Sequence, residues 1–269
     1  MAGGVLELTA RAGHISIKDV TKIFARTDLN ATLVALESVS MEIEPTEFVS
    51  IVGTSGCGKS TLLRIIAGLE TVTFGQAYCD GEPISGTNPK RGLVFQEHSL
   101  FPWLSVRDNI AFGLRAAGKF KSLAGLVDKL ISLVGLSEFA NSYPHQLSGG
   151  MRQRVSLARA IAVSPDVLLL DEPLGALDSF TRMNMQDELL KLWHEHKNTM
   201  ILITHDVDEA IYLSQRIYIM SPRPGRIAGE IPLRMSYPRN RSSSEFVNVR
   251  NEILRKLDFA KEEQVEYNL

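Results

Sequence analysis

Residues 53–60 read Gly-Thr-Ser-Gly-Cys-Gly-Lys-Ser, a run that fits G-x-x-x-x-G-K-[ST] and stands between a short β-branched apolar segment and a leucine- and isoleucine-rich one. No other stretch constrains the backbone as tightly. The glycines let successive N–H groups turn inward around phosphate oxygens at a helix N-terminus. The pattern therefore makes Gly53, Thr54, Ser55, Gly56, Cys57, Gly58, Lys59, Ser60 and Thr61 a candidate triphosphate cradle, with Lys59 reaching the β- and γ-phosphates and Ser60 ligating Mg²⁺. Such a site also needs a carboxylate at the end of a buried strand. Residues 167–172, Val-Leu-Leu-Leu-Asp-Glu, supply one: Asp171 to hold Mg²⁺ through its water shell and Glu172 to face the γ-phosphate. An acidic pair after a strand says little alone, but joined to the phosphate loop it makes a nucleotide-hydrolysis site.

Composition narrows the partners. With 269 residues, 44% hydrophobic and 22% charged, the chain has the material for one large or two modest globular domains. A net charge of -2 gives no basic field for a nucleic-acid backbone, so no nucleic-acid partner is expected. Cys57 and Cys79 form neither a C-x-x-C pair nor a disulfide framework, which suits a reducing compartment. No window approaches the roughly 18–20 uninterrupted apolar residues of a membrane span, and residues 1–12 lack the features of a signal peptide. Service to a membrane would have to come by docking on another protein.

Residues 14–20, 32–43 and 47–52 read as strands of a small sheet leading into the core, and the segment from Ser60 as a helix. Residues 70–90 are rich in Gly, Thr and Pro, and 92–95 read as a short strand ending at Gln96. Spaced apolar residues over 106–133, with a break at 118–122, predict a helical insertion. A further helix follows Ser148 as far as Ala162, before Pro165 and the buried strand 167–170. Ser242-Ser-Ser-Glu245 predicts the cap of a terminal amphipathic helix.

Between phosphate loop and acidic pair lies Leu147-Ser148-Gly149-Gly150-Met151-Arg152-Gln153-Arg154, which resembles the signature of ATP-binding cassette (ABC) ATPases. Other family motifs fall in order: Gln96 is similar to the Q-loop, Ala176-Leu177-Asp178 to the D-loop, His205 to the H-loop, and Phe24 to the aromatic that stacks on adenine. Met151 departs from the best-known signature, which has glutamine there. The resemblance covers about residues 14–230, with the helical insertion at about 97–160 and a C-terminal tail at 231–269. It implies an α/β P-loop NTPase core with a mainly parallel sheet, an N-terminal antiparallel β subdomain and the insertion carrying the signature. It also implies ATP and Mg²⁺ as cofactors, with Gln96 among the metal's neighbours, and Glu172, His205, Lys59 and Gln96 as catalytic residues. The implied assembly is a head-to-tail pair, identical or closely related, in which Ser148, Gly149 and Gly150 of one chain close over ATP held by the other.

Leu100, Phe101, Trp103 and Leu104 crowd around Pro102 in a place that resembles the surface gripping a transmembrane permease subunit; packing within the chain's own insertion is the competing reading. Tyr143-Pro-His-Gln-Leu before the signature leans toward bacterial importers. Residues 97–109, 180–185, 206–212 and 221–227 resemble the nitrate, sulfonate, taurine and bicarbonate branch. The resemblance thus implies a peripheral subunit at the cytoplasmic face of the inner membrane, working with a permease and a separate substrate-binding protein. The chain stops soon after the cassette, so the added regulatory domain of the sugar and molybdate types is not expected. The alternative is a soluble ABC ATPase of DNA maintenance or translation, but the short insertion lacks a coiled-coil arm and there is one cassette. A P-loop kinase fails on the signature and on His205.

Two clusters read as ordinary surface. His194 and His196 sit about 200° apart on a helix and so share no face for a metal. Arg223, Arg226, Arg234, Arg239 and Arg241 read as a solvated basic loop. Cys57 reads as a small side chain tolerated in the loop, where alkylation would obstruct nucleotide.

Overall fold

The computed structural model describes residues 13–26, 31–97 and 99–266. The readings of residues 1–12 and of His98 lie outside these. The chain begins with two long strands, β1 (Ile15–Arg26) and β2 (Ala31–Ile43), and continues with β3 (Phe48–Gly53) and helix α1 (Lys59–Ala67). Strands β4 (Phe74–Cys79), β5 (Glu82–Pro83) and β6 (Arg91–Val94) follow. The helical part is α2 (Val106–Ala116), α3 (Phe120–Leu133) and α4 (Gly149–Ala162). The chain then alternates through β7 (Val167–Asp171), α5 (Ser179–His196), β8 (Thr199–Thr204), α6 (Val207–Leu213), β9 (Arg216–Met220) and β10 (Ile227–Pro232) before α7 (Ser244–Glu266).

Two sheets result. The order β2-β1-β4-β5 is antiparallel; the order β10-β9-β3-β8-β7-β6 is parallel except for β10 against β9. The central strands are apolar on both faces, as expected of strands covered on both sides. Their side chains alternate: Phe48, Val52, Leu168, Leu170, Met200 and Leu202 join the core beneath α2–α7, whereas Val49, Ile51, Leu169, Ile201 and Ile203 join the core shared with α1 and the antiparallel sheet. The α/β class with its antiparallel N-terminal sheet agrees with expectation.

Three details differ from the sequence reading. Strand β3 belongs to the centre of the large sheet rather than to the small one, because all six of its residues are buried between β8 and β9. The 70–90 segment, to which the sequence reading assigned no strand, contains β4 and β5. Half of β4 is exposed, so its side chains carry little strand signal, and pairing with β1 holds it. Gly75 is needed there: its φ is 82°, and a Cβ would fall 2.2 Å from the Asp19 carbonyl oxygen.

The third concerns the C-terminal arginines. Arg239, read as solvated, is 5% exposed; its guanidinium donates to the Ile211 and Ser214 carbonyls at the end of α6, and its Nε to Met235 O at 3.3 Å. Arg241 lies 4.0 Å from the Tyr212 ring centroid and donates to Gln186. Arg250, on α7, pairs through both oxygens with Asp208. The tail therefore grips α6, with Phe246 and Ile253 fully buried behind it. Ser243 caps α7, its Oγ accepting from Phe246 N at 3.2 Å.

Candidate functional site

The phosphate-loop residues join the C-terminal end of β3 to the start of α1, so the loop lies at the carboxyl edge of the parallel sheet, where open α/β sheets hold ligands. Gly56 (φ 77°) and Gly58 (φ 109°) turn the backbone through the left-handed region. A Cβ on Gly58 would meet Leu36 Cδ2 at 2.7 Å and Ala35 O at 2.8 Å, so both φ and space demand glycine. Helix α1 has no side-chain cap and no acid in its first turn. Its first N–H groups and positive dipole end thus face the loop without a competing carboxylate. Lys59 is 6% exposed; its Nζ donates to Gly53 O and Thr54 O, both at 2.9 Å, which folds the ammonium back across the loop. Cys57 is 1% exposed, with its Sγ 3.8 Å from that Nζ.

Strands β7 and β8 bring the acidic pair and His205 to the same edge. Ser60 Oγ donates to Asp171 Oδ1 at 3.0 Å. Burial pushes the Asp171 carboxyl up, an effect the Ser60 hydrogen bond partly opposes. Two hard oxygen donors meeting at a desolvated carboxylate suit a small divalent cation that also draws on phosphate and water. Glu172 adopts φ 47°, rare for a residue with a Cβ, and its N–H donates to Ile203 O at 2.9 Å. That turn aims the carboxylate off the strand. Gln96 Nε2, from the segment after β6, donates to Glu172 Oε2 at 3.3 Å, and His205 Nδ1 lies 3.3 Å from the same oxygen. Three strand ends thus converge on one carboxylate.

A cavity of about 270 Å³ opens beside the loop, lined by Phe24, Leu33 and Ala35 together with Ser55, Gly56, Gly58, Lys59, Ser60, Thr61, Gln96, Glu172 and Arg223. Phe24 is backed by Lys22, whose Nζ is 4.9 Å from the ring centroid and paired with Glu70 at 2.7 Å. An aromatic platform, a glycine loop with a cation, and a carboxylate around one cavity can hold a nucleotide.

Ser148, Gly149 and Gly150 are not among the residues lining this cavity. Ser148 caps α4, accepting from Met151 N at 3.3 Å, and a Cβ on Gly150 would come within 2.9 Å of Leu177 Cδ2. The signature helix is therefore packed against the D-loop segment. Asp178 of that segment caps α5, and the Thr181 N–H it accepts at 3.0 Å holds its carboxyl below the usual range.

The sequence reading missed one participant. Arg223 lines the cavity, yet stands 167 positions from the glycine it touches. Glu209 on α6, a buried carboxyl the sequence reading did not single out, is 3% exposed, accepts from Gln186 Nε2 at 3.2 Å, and is pushed up by burial. His194 serves packing: its ring lies against Trp193 and Tyr237. Among the described residues no helix is long and apolar enough to cross a membrane.

The ABC transporter family model matches residues 36–175. The aliphatic sulfonates import ATP-binding protein SsuB of Bacillus cereus (strain ZK / E33L) is 46% identical over 245 residues, 91% of this chain and 96% of the relative. Its namesake from Bacillus subtilis (strain 168) is 46% identical over 253 residues, 94% and 96% of the two chains. Among solved structures, a dimeric post-hydrolysis state of the ATP-binding cassette MJ0796 bound to ADP and Pi superposes with a TM-score of 0.74 at 34% identity, covering 82% of this chain and 100% of that one. A glycine cradle, a three-strand carboxylate centre and a packed signature helix thus share one scaffold with proteins matched along nearly their whole length, and the chain belongs to the ABC transporter family as an ATP-hydrolysing cassette.

Proposed function

We propose that this cassette energises import of an aliphatic sulfonate. The convergence of Gln96 and His205 on Glu172, which lines the nucleotide cavity, carries the hydrolytic part of this reading. The cargo class is supported by the SsuB relatives, aligned along at least nine-tenths of both chains. Within that reading Phe24 stacks on adenine and the N–H groups of the phosphate loop cradle the phosphates. Lys59, released from its carbonyls, reaches the β- and γ-phosphates. Ser60 and Asp171 hold Mg²⁺, with Gln96 nearby; the ion's chemistry is to neutralise charge on the phosphate oxygens. Glu172 accepts a proton from the attacking water, and His205 contacts the γ-phosphate.

Ser148–Gly150 sit at the N-terminus of α4, outside their own chain's cavity, a place suited to an anion held by a second chain. The solved cassettes similar to this chain are dimers. Closure on ATP and opening after hydrolysis then supply the two states that differ in nucleotide contacts and drive a membrane partner. Docking at the cytoplasmic face of the membrane falls to the aromatic segment ahead of α2. Trp103 is 70% exposed, the Phe101 ring lies tilted against those of Trp103 (centroids 5.6 Å apart) and Phe112 (4.4 Å), and Asn109 fixes the loop through Phe101 N at 2.9 Å and Leu104 O at 2.9 Å. Leu100 instead packs on the chain's own core.

Uptake of a labelled alkanesulfonate into cells carrying the chain with its neighbouring permease and binding protein tests the proposal. Uptake dependent on an intact Glu172 is the expected result; transport of nitrate or bicarbonate without sulfonate would overturn the cargo. Trp103→Ala is expected to weaken recruitment of the cassette to permease-containing membranes by about tenfold, the scale of a buried aromatic anchor, while ATP hydrolysis by the free chain persists. Undiminished co-purification with the permease would remove Trp103 from the interface.

A further inference from the structure

The cavity has a second cation besides Lys59, and it comes from a distant part of the chain. The turn between β9 and β10 is closed by Ser221 N donating to Arg226 O at 2.9 Å and Arg226 N donating to Ser221 Oγ at 3.0 Å. It is fastened to β2: Gly225 N donates to Ala35 O and Glu37 N to Gly225 O, both at 3.0 Å, while Arg226 pairs with Glu37 at 2.6 Å. A Cβ on Gly225 would fall 2.1 Å from Cys57 O, so the turn's backbone is pressed directly against the phosphate loop. This anchoring places Arg223 over the loop, where its Nε and Nη2 donate to Gly56 O at 3.1 and 2.8 Å. The guanidinium lines the same cavity as Phe24, Lys59 and Glu172.

We propose that Arg223 is a nucleotide-binding residue, touching the polyphosphate of ATP and ADP on the flank between the Phe24 side and Lys59. The inference rests on the nucleotide reading of the cavity. Three observations point the same way. The planar fork suits phosphate oxygens. Its grip on Gly56 O holds it in register with the loop that carries the N–H donors. The turn is tied at both ends, so the fork is positioned before ligand arrives and little freedom is lost on binding. Lys59 stands where the loop enters α1 and Arg223 at the Gly56 carbonyl, which distributes positive charge along a polyanion. Because Arg223 contacts the loop at Gly56, its effect is read in nucleotide affinity.

The test uses the full chain with a fluorescent ADP analogue, ATP as competitor, and the substitutions Arg223→Gln, Arg223→Ala and Arg223→Lys. Arg223→Gln and Arg223→Ala are expected to raise Kd for both nucleotides about tenfold, the scale of a charge-assisted contact reduced by solvent screening. Arg223→Lys is expected to keep Kd within about threefold of wild type. The slope of log Kd against log salt should be shallower for Arg223→Gln, since one cation fewer meets the phosphates. A Kd within twofold of wild type, or a weakened Kd with an unchanged salt slope, overturns the proposal, the latter because Arg223 would then act only by holding Gly56. Failure of wild-type chain to bind either nucleotide would instead overturn the nucleotide reading itself.

Discussion

Replacing Glu172 by Gln is expected to slow ATP turnover by roughly 10²–10⁴-fold, the usual scale for a positioned general base, while ATP still binds. The substitution keeps the length of the side chain and its contact with Gln96 Nε2 through the remaining oxygen, but removes the acceptor that takes a proton from water. It leaves Lys59, Ser60 and the loop glycines untouched, so the ground-state complex persists. The strained φ of 47° also survives, since glutamine carries the same backbone demand as glutamate. With binding intact and hydrolysis blocked, Mg²⁺ and ATP should hold two chains together long enough to elute as a dimer. Phosphate release in a single-turnover mixture and size exclusion with and without ATP read the two halves. Loss of ATP binding, or turnover within tenfold of wild type, would falsify the assignment of Glu172 as the base.

The second large effect is on stability. Arg239→Met is expected to lower stability by about 2–4 kcal/mol, because the last carbonyls of α6 and the Met235 carbonyl lose a charged donor inside the protein. The cation also sits at the negative end of the α6 dipole and 4.3 Å from the Tyr237 ring centroid, so its removal withdraws three favourable contacts at once. Tyr237 is itself buried enough for its phenol to be pushed up to about 12, and its hydroxyl donates to Leu213 O at 2.8 Å. For a chain of this size each kcal/mol corresponds to roughly 2–4 °C in Tm. A thermal melt should therefore shift down by about 4–16 °C, with ATP affinity at 20 °C little changed. A shift below about 2 °C would show that water replaces the guanidinium without penalty and that the tail is not clamped to α6.

The centre of the site was legible because its chemistry is local. A phosphate cradle must be built from consecutive backbone N–H groups, so Gly53 to Thr61 appear as one word in the sequence, and the geometry of Gly58 shows why no other residue fits there. The strand Val167–Asp171 was legible for a related reason: burial on both faces leaves a continuous apolar run that stops where the carboxylates begin. Strand β4 was not legible, because half its residues face solvent and its place is set by β1, more than fifty positions earlier. Arg239 was read as solvated because a charge among prolines and serines resembles loop; only the packing of the tail on α6 reveals three carbonyls waiting for it.

The sequence by itself determined the local instruments of the reaction: the glycine loop, the acidic pair at the end of a strand, the signature at the start of a helix, and the absence of a basic field. These follow from backbone geometry and side-chain chemistry over short spans. The tertiary structure alone decided which of them meet. It brought Gln96, Glu172 and His205 from three strand ends to within 3.3 Å contacts, left Ser148–Gly150 outside the cavity of their own chain, and set Arg223 on the phosphate loop. Such meetings depend on strand order and on the register of the parallel sheet, which arise from burying both faces of that sheet at once and so cannot be read from any single segment.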